Sequence, residues 1–344
     1  MLGLWFHFGI SALFVVVSGL FIGRVSGELG ERFHLGKAWA GAVLLSFATT
    51  LPELVATLTV VLRGDTGLAI GGVLGSVLFN LFIIVLVDLM DAEPIYHRIS
   101  KNHLLTGLLG CVLLASTITG LALSTLNIPQ LENLEKIGFV GISSVAILFF
   151  YIIGQFILFQ VAQNDNNTQP IKMATVFDRF TTLQVSGIYG CLAVIIIIAA
   201  WQLGISAERI GKTYNLSATF AGATLIGITT SLPELTNGIA CALQREHDLA
   251  MGNILGANAV VIVVLAIADF VNFKETLFSS LPPIDATSSI VMASIGIVMQ
   301  GVALGALAGS STHRIWRFGT ASILLLILYI LSLVISYKFS SLKL

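Results

Sequence analysis

Glu53 and Glu234 carry the most chemical promise in this 344-residue sequence, because each is embedded in a long apolar stretch. They occur in matching words, ATTLPEL at 48–54 and TTSLPEL at 229–235. An acidic side chain at the centre of a bilayer costs about 2.5–3.5 kcal/mol on insertion scales, so such residues mark functional sites by default. One buried Glu could be a protonated group bonding a neighbouring helix; a repeated pair points to a site. Residues three and four apart share a helix face. That places Thr49 and Thr50 beside Glu53, and Thr230 and Ser231 beside Glu234. Pro52 and Pro233 lack an N–H and disrupt the preceding turn. Carbonyls near Ser46–Thr49 and Gly227–Thr230 are then expected to lose helical partners, with Ser46 and Gly227 as backbone ligand candidates. Irregular backbone at this depth is tolerated where it lines a cavity. Ser76 and Asn80, four apart, add a second polar line on a stretch where Gly71, Gly72 and Gly75 permit close helix approach. Carboxylate, hydroxyl and carbonyl oxygens are hard ligands that suit Ca²⁺, Na⁺ or Mg²⁺.

The elements that must hold these residues are membrane helices. The chain is 56% hydrophobic and 10% charged, against about 25% charged in soluble domains. A spanning helix needs about 20 apolar residues. Spans are expected near 4–23, 38–61, 67–90, 104–124 and 138–162, then near 183–202, 218–242, 248–271, 287–308 and 318–337. Runs such as AVIIIIAAW do not alternate, which argues against a β-barrel. The first span lacks a basic leader and has a counterpart later in the chain, so it is read as a true span and not a signal peptide.

The sequence is duplicated. LAIGGVLGSVLFN at 68–80 returns as LAMGNILGANAVV at 249–261, at the same 181-residue offset that relates Glu53 to Glu234 and Asp88 to Asp269. Five spans per copy is an odd number, so the second copy enters the membrane from the opposite side. The expected architecture is all-α and polytopic, with about ten transmembrane helices in two inverted five-helix repeats: residues 1–162, a linker at 163–182, and residues 183–344. Such repeats place a substrate site at their interface and rock to give alternating access.

With this duplicated pair of motifs, the sequence resembles the cation/Ca²⁺ exchanger superfamily, which includes the Na⁺/Ca²⁺ exchangers, over essentially its whole length. The resemblance implies an ion site between the second, third, seventh and eighth spans. Its ligands would be Glu53 and Glu234 as central carboxylates, Thr49, Thr50, Thr230, Ser231, Ser76 and Asn80 as further donors, and the carbonyls of Ser46 and Gly227. It implies exchange of Ca²⁺ for Na⁺. The eighth span departs from the pattern: Ala257 and Val261 stand where Na⁺-coupled relatives offer oxygen ligands, although Asn253 and Asn258 are kept. Gly72 and Val77 stand where the family usually has Asn. Two carboxylates balance one Ca²⁺, two Na⁺ or two protons. H⁺-coupled exchange of Ca²⁺ or another divalent cation, and an ion-binding protein that no longer exchanges, are the alternatives.

Asp88 and Asp269, near the ends of the third and eighth spans, are read either as interfacial residues paired with a loop cation or as acids at the mouths of the access paths. The six histidines show no ligand spacing within a span, and Cys111, Cys191 and Cys241 lie in spans at no metal-like spacing. A net charge of −1 offers no basic surface for nucleic acid. No Walker motif suggests ATP-driven transport, and no nucleophile motif suggests an enzyme. No cofactor is expected beyond the transported ions; the partners are cations and lipid. The side reached after the first span holds more of the 17 Lys and Arg residues, which places both termini outside the cytoplasm of a plasma-membrane protein.

Overall fold

The computed structural model describes residues 2–32, 49–91, 93–126, 136–137, 140–164, 177, 179–273, 275–315 and 318–341. It is an all-α polytopic membrane protein. The helices are α1 (Leu2–Arg32), α2 (Leu51–Leu62), α3 (Thr66–Met90), α4 (His103–Leu126), α5 (Ile142–Asn164), α6 (Thr182–Thr213), α7 (Ala218–Thr230), α8 (Leu232–Leu243), α9 (His247–Val271), α10 (Pro283–Ala308) and α11 (Thr320–Ser341). Eight of these are long and apolar enough to cross a bilayer. The remaining three, α2, α7 and α8, carry the motif residues at the second and seventh expected spans.

Repeat-related elements match. Adding 181 to the bounds of α2 gives α8, and adding it to those of α3 gives α9. α1 and α6 lie side by side and antiparallel. Trp5 Nε1 donates to the Tyr214 hydroxyl at 3.0 Å at one end, and Arg32 donates to the Phe180 and Phe177 carbonyls at 2.7 and 2.8 Å at the other. Equivalent helices that run in opposite directions are what an inverted duplication requires.

Three differences from the sequence reading have physical causes. α1 and α6 run for 31 and 32 residues, well past their apolar cores, because the residues that follow include no Pro to stop them. At 1.5 Å per residue they exceed the hydrocarbon thickness. The seventh span is broken at Ser231, and Gly222–Gly227 before it is π-helical. The fifth and tenth spans begin late, at Ile142 and Thr320. Each follows a small antiparallel hairpin: β1 (Lys136–Ile137) with β2 (Val140–Gly141), and β3 (Arg314–Ile315) with β4 (Phe318–Gly319).

α3 and α9 form the centre. In α3, 89% of the apolar window is buried, and in α9 72%, against 33% for α1 and 17% for α5. Both helices are apolar on every side, as expected for membrane helices enclosed by others. α3 packs directly on α7 through glycine. A Cβ on Gly75 would lie 2.4 Å from Ala223 Cα, and one on Gly227 would lie 2.7 Å from the Gly72 carbonyl oxygen. Only residues without side chains allow backbones to come this close.

A candidate cation site between α2, α3, α7 and α8

Pro52 and Pro233 sit in the first turns of α2 and α8, where a missing N–H costs nothing. The residues just before these helices adopt one conformation in both copies: Thr50 at φ −88°, ψ 0° and Ser231 at φ −89°, ψ 5°. Glu53 and Glu234 therefore do not sit mid-helix. They occupy the first turn of a helix that starts in the protein interior, where free N–H groups and the helix dipole favour an anion.

Both glutamates are buried, at 2% and 1% exposure. They interact electrostatically with each other, and the Thr230 and Ser231 hydroxyls lie beside the Glu53 carboxylate. Among the described residues, none of the four carboxylate oxygens has a hydrogen-bond partner by distance and angle, nor do Ser231 Oγ or either side-chain polar atom of Asn80. Among the described residues, no Lys, Arg or His forms an ion pair with either glutamate. Buried groups of this kind are ordinarily hydrogen-bonded, and an unsatisfied cluster marks a place for an ion or water. Two neighbouring buried carboxylates need cations or protons to neutralise them. The donor set is all oxygen and amide, which suits a hard cation as cargo.

Ser76 joins the two halves. Its hydroxyl donates to the Gly227 carbonyl at 3.2 Å and lies 3.4 Å from Thr230 Oγ1. Thr230 in turn donates to the Ile226 carbonyl at 3.0 Å. The Gly227 carbonyl, expected to be without a helical partner, also accepts the Ser231 N–H at 3.3 Å. It is a joint between α3 and α7, engaged three times over once the 3.5 Å contact from Thr230 is counted. Thr49 and Thr50 are buried at the start of α2. Ser46 lies outside the described residues. A π-helical segment that ends at Gly227, three residues before Thr230, is a feature common at functional sites; no spacing in the sequence announces it.

The eighth span contributes little polarity. Ala257 and Val261 are buried apolar residues of α9. Asn258, a retained family position, is fully buried. Its Nδ2 donates to the Val77 carbonyl at 3.4 Å, 181 residues away, and its Oδ1 has no partner among the described residues.

Asp88 and Asp269 lie in the last turns of α3 and α9. Both are fully buried. Asp88 accepts the Ile95 N–H at 3.1 Å, the Gly319 N–H at 2.8 Å and the Ser322 hydroxyl at 2.7 Å. Asp269 accepts the N–H groups of Leu277 and Gly141 at 2.5 and 2.7 Å. The loop cation near Asp88, Arg314, donates to its backbone carbonyl at 3.3 Å. The reason is chemical: each carboxylate supplies acceptors for hairpin and loop amides that have no partner of their own.

The fold and the site define a class: a polytopic inverted-repeat membrane protein with a buried carboxylate pair between the repeats. The chain belongs to the sodium/calcium exchanger protein family, which it matches over residues 3–161 and 184–338. Inner membrane protein YrbG of Escherichia coli (strain K12) is 27% identical over 258 residues, 74% of this chain and 76% of that protein. The crystal structure of the H⁺/Ca²⁺ exchanger CAX shares the fold with a TM-score of 0.70 at 11% identity, over 98% of this chain and 85% of that one. The sodium-calcium exchanger NCX_Mj shares it with a TM-score of 0.57 at 19% identity, over 97% and 98%.

Proposed function

We propose that this protein is a secondary antiporter that moves Ca²⁺, outward, in exchange for Na⁺. The observation that carries the reading is the buried pair Glu53 and Glu234, set among hydroxyl and amide groups with unpartnered oxygens. Two carboxylates match one Ca²⁺ or two Na⁺ in charge. The ligands are Glu53, Glu234, Thr49, Thr50, Thr230, Ser231, Ser76 and Asn80. Residues 1–162 and 183–344 act as the two repeats joined by the linker 163–182, and α1 with α6 slides against the rest to expose the site to alternate sides. The protein works in the plasma membrane with both termini outside the cytoplasm.

A second reading, Ca²⁺/H⁺ exchange, is favoured by one observation. Ala257 and Val261 leave α9 without side-chain oxygens at the positions matching Ser76 and Asn80. A site with fewer oxygens holds fewer Na⁺ ions, whereas two carboxylates alone can carry two protons.

The test is ⁴⁵Ca²⁺ uptake into proteoliposomes under an outward Na⁺ gradient, an outward H⁺ gradient, or neither. Uptake with Na⁺ only supports the first reading and uptake with H⁺ only the second. No uptake under any gradient sinks both.

A further inference from the structure

A residue can lie close to its own repeat-related image only near the axis that relates the two halves, because the midpoint of every such pair falls on a two-fold axis. Two pairs at the 181-residue offset come together in this way. Glu53 and Glu234 interact electrostatically, and Asn258 Nδ2 donates to the Val77 carbonyl at 3.4 Å. Both pairs therefore flank the pseudo-two-fold axis that inverted repeats share, and all four residues are buried. A cation held between Glu53 and Glu234 lies near the same line. Side chains join the two pairs. Val77 follows Ser76, Ser76 Oγ lies 3.4 Å from Thr230 Oγ1, and the Thr230 hydroxyl lies beside the Glu53 carboxylate.

The two central helices differ in what they offer there. α3 presents Ser76 and Asn80, whereas their images on α9 are Ala257 and Val261. Between Ile254 and Ala268, Asn258 is the one residue of α9 whose side chain has a polar atom. Any side-chain oxygen from this stretch of α9 must come from it. The bond to Val77 also fixes which end of the amide is spent: a carbonyl accepts only from the NH₂ group, which leaves Oδ1 over. That oxygen is buried and has no partner among the described residues, and the same holds for both polar atoms of Asn80, one turn beyond Val77. Buried amide groups ordinarily find partners, so a free one beside a charged pair marks a place for a ligand.

We propose that Asn258 is a cation ligand, and that its Oδ1 supplies from α9 the oxygen that Ala257 and Val261 do not. Amide oxygens are hard, neutral ligands that suit Ca²⁺ and Na⁺. A neutral oxygen adds coordination without adding charge, so the two glutamates still balance one Ca²⁺. It also holds a metal ion without taking up a proton, so Asn258 tilts the site toward metal ions over protons. The second repeat thus keeps a ligand on its central helix, shifted by one residue from the place that Ser76 occupies in the first. Asn258's role rests on the cation site of the proposed function and not on which ion drives the exchange.

The test is equilibrium binding of ⁴⁵Ca²⁺ to the full chain in nanodiscs, which needs no transport. Asn258→Leu keeps the volume and removes both polar atoms. It should weaken Ca²⁺ binding at least about tenfold, the loss that even an indirect partner of a metal ligand brings. Asn258→Asp keeps the oxygen and gives up the NH₂ group that holds Val77. It should bind Ca²⁺ at least as tightly as the wild type, and its affinity should climb more steeply between about pH 6 and pH 8, because a carboxylate must be deprotonated to ligate. A residue that mattered only through its bond to Val77 would give the reverse, with Asn258→Asp as weak as Asn258→Leu and no steeper with pH. That result, or an unchanged affinity in Asn258→Leu, overturns the assignment. Asn258→Asp carries the test alone if Asn258→Leu does not fold. Glu53→Gln, measured alongside, separates the two levels: if it binds Ca²⁺ normally the whole site falls, whereas lost binding there with normal binding in Asn258→Leu removes Asn258 alone.

Discussion

The Asp269 carboxylate holds the backbone N–H of Gly141, 128 residues earlier in the chain, at 2.7 Å. Asp88 does the same for Gly319 at 2.8 Å. Each acid ends a central helix of one half and secures the hairpin that launches the last helix of the other. The repeats are thus laced together twice, through groups that are fully buried.

This lacing makes Asp88 and Asp269 stability residues. Asn in either place keeps one carbonyl acceptor but turns an NH₂ group toward an amide donor. Asp88→Asn and Asp269→Asn should each cost about 1–3 kcal/mol, the penalty for a buried donor left unpaired. Thermal unfolding in nanodiscs reads this directly. Unchanged stability with a weakened apparent affinity for Ca²⁺ would return these residues to the access-path role.

Much of the architecture is legible in the sequence because membrane burial and duplication leave strong marks. The ten apolar stretches, the 181-residue offset and the two glutamates needed only composition and spacing. What stayed hidden depends on backbone detail. The π-helical turn at Gly222–Gly227 leaves no spacing signal, since the residues around it repeat those of the first copy without a gap. The hairpins before α5 and α11 are two residues per strand, too short for an alternating pattern. Asp88 and Asp269 looked interfacial because they fall where hydropathy declines, and only the returning hairpins bury them. Asn258 was visible as a retained residue, but its bond to Val77 shows only in three dimensions.

Glu53→Gln and Glu234→Gln should each lower Ca²⁺ transport by at least about 100-fold, because each removes half of the charge that balances a divalent ion and leaves a weaker ligand. Neither change should destabilise the fold, since Gln has the shape of Glu and carries no charge to bury. Flux in proteoliposomes and thermal unfolding, measured on the same preparations, separate the two effects. Normal transport by either variant would overturn the assignment of the site.

The seat of α3 on α7 admits no side chain at Gly75. Gly75→Ala forces a methyl group against the Ala223 backbone, so a loss of about 1–3 kcal/mol is expected, as for overpacked cores. The shift should also part Ser76 from Gly227 and Thr230 and weaken Ca²⁺ binding. Gly190→Ala is the control: nothing lies within 4 Å of a Cβ there, and helix propensity gains up to about 1 kcal/mol. Calorimetric Ca²⁺ titration of the two variants should show a weakened site for Gly75→Ala alone.

The lopsidedness of the site can be reversed in sequence. Val261 of α9 matches Asn80 of α3, and Ala257 matches Ser76. All four are buried, but only the α3 pair offers polar atoms. Val261→Asp with Ala257→Ser would restore oxygen to the second half and add a third carboxylate. The expected result is stronger Na⁺ dependence, with Na⁺-driven ⁴⁵Ca²⁺ uptake rising relative to H⁺-driven uptake. The added buried Asp should lower stability by about 1–3 kcal/mol in Na⁺-free buffer, because its charge or its proton needs a partner, and Na⁺ should recover part of that loss by binding the folded state. A melting temperature insensitive to Na⁺, together with unchanged ion preference, would mean that position 261 does not line the cation path.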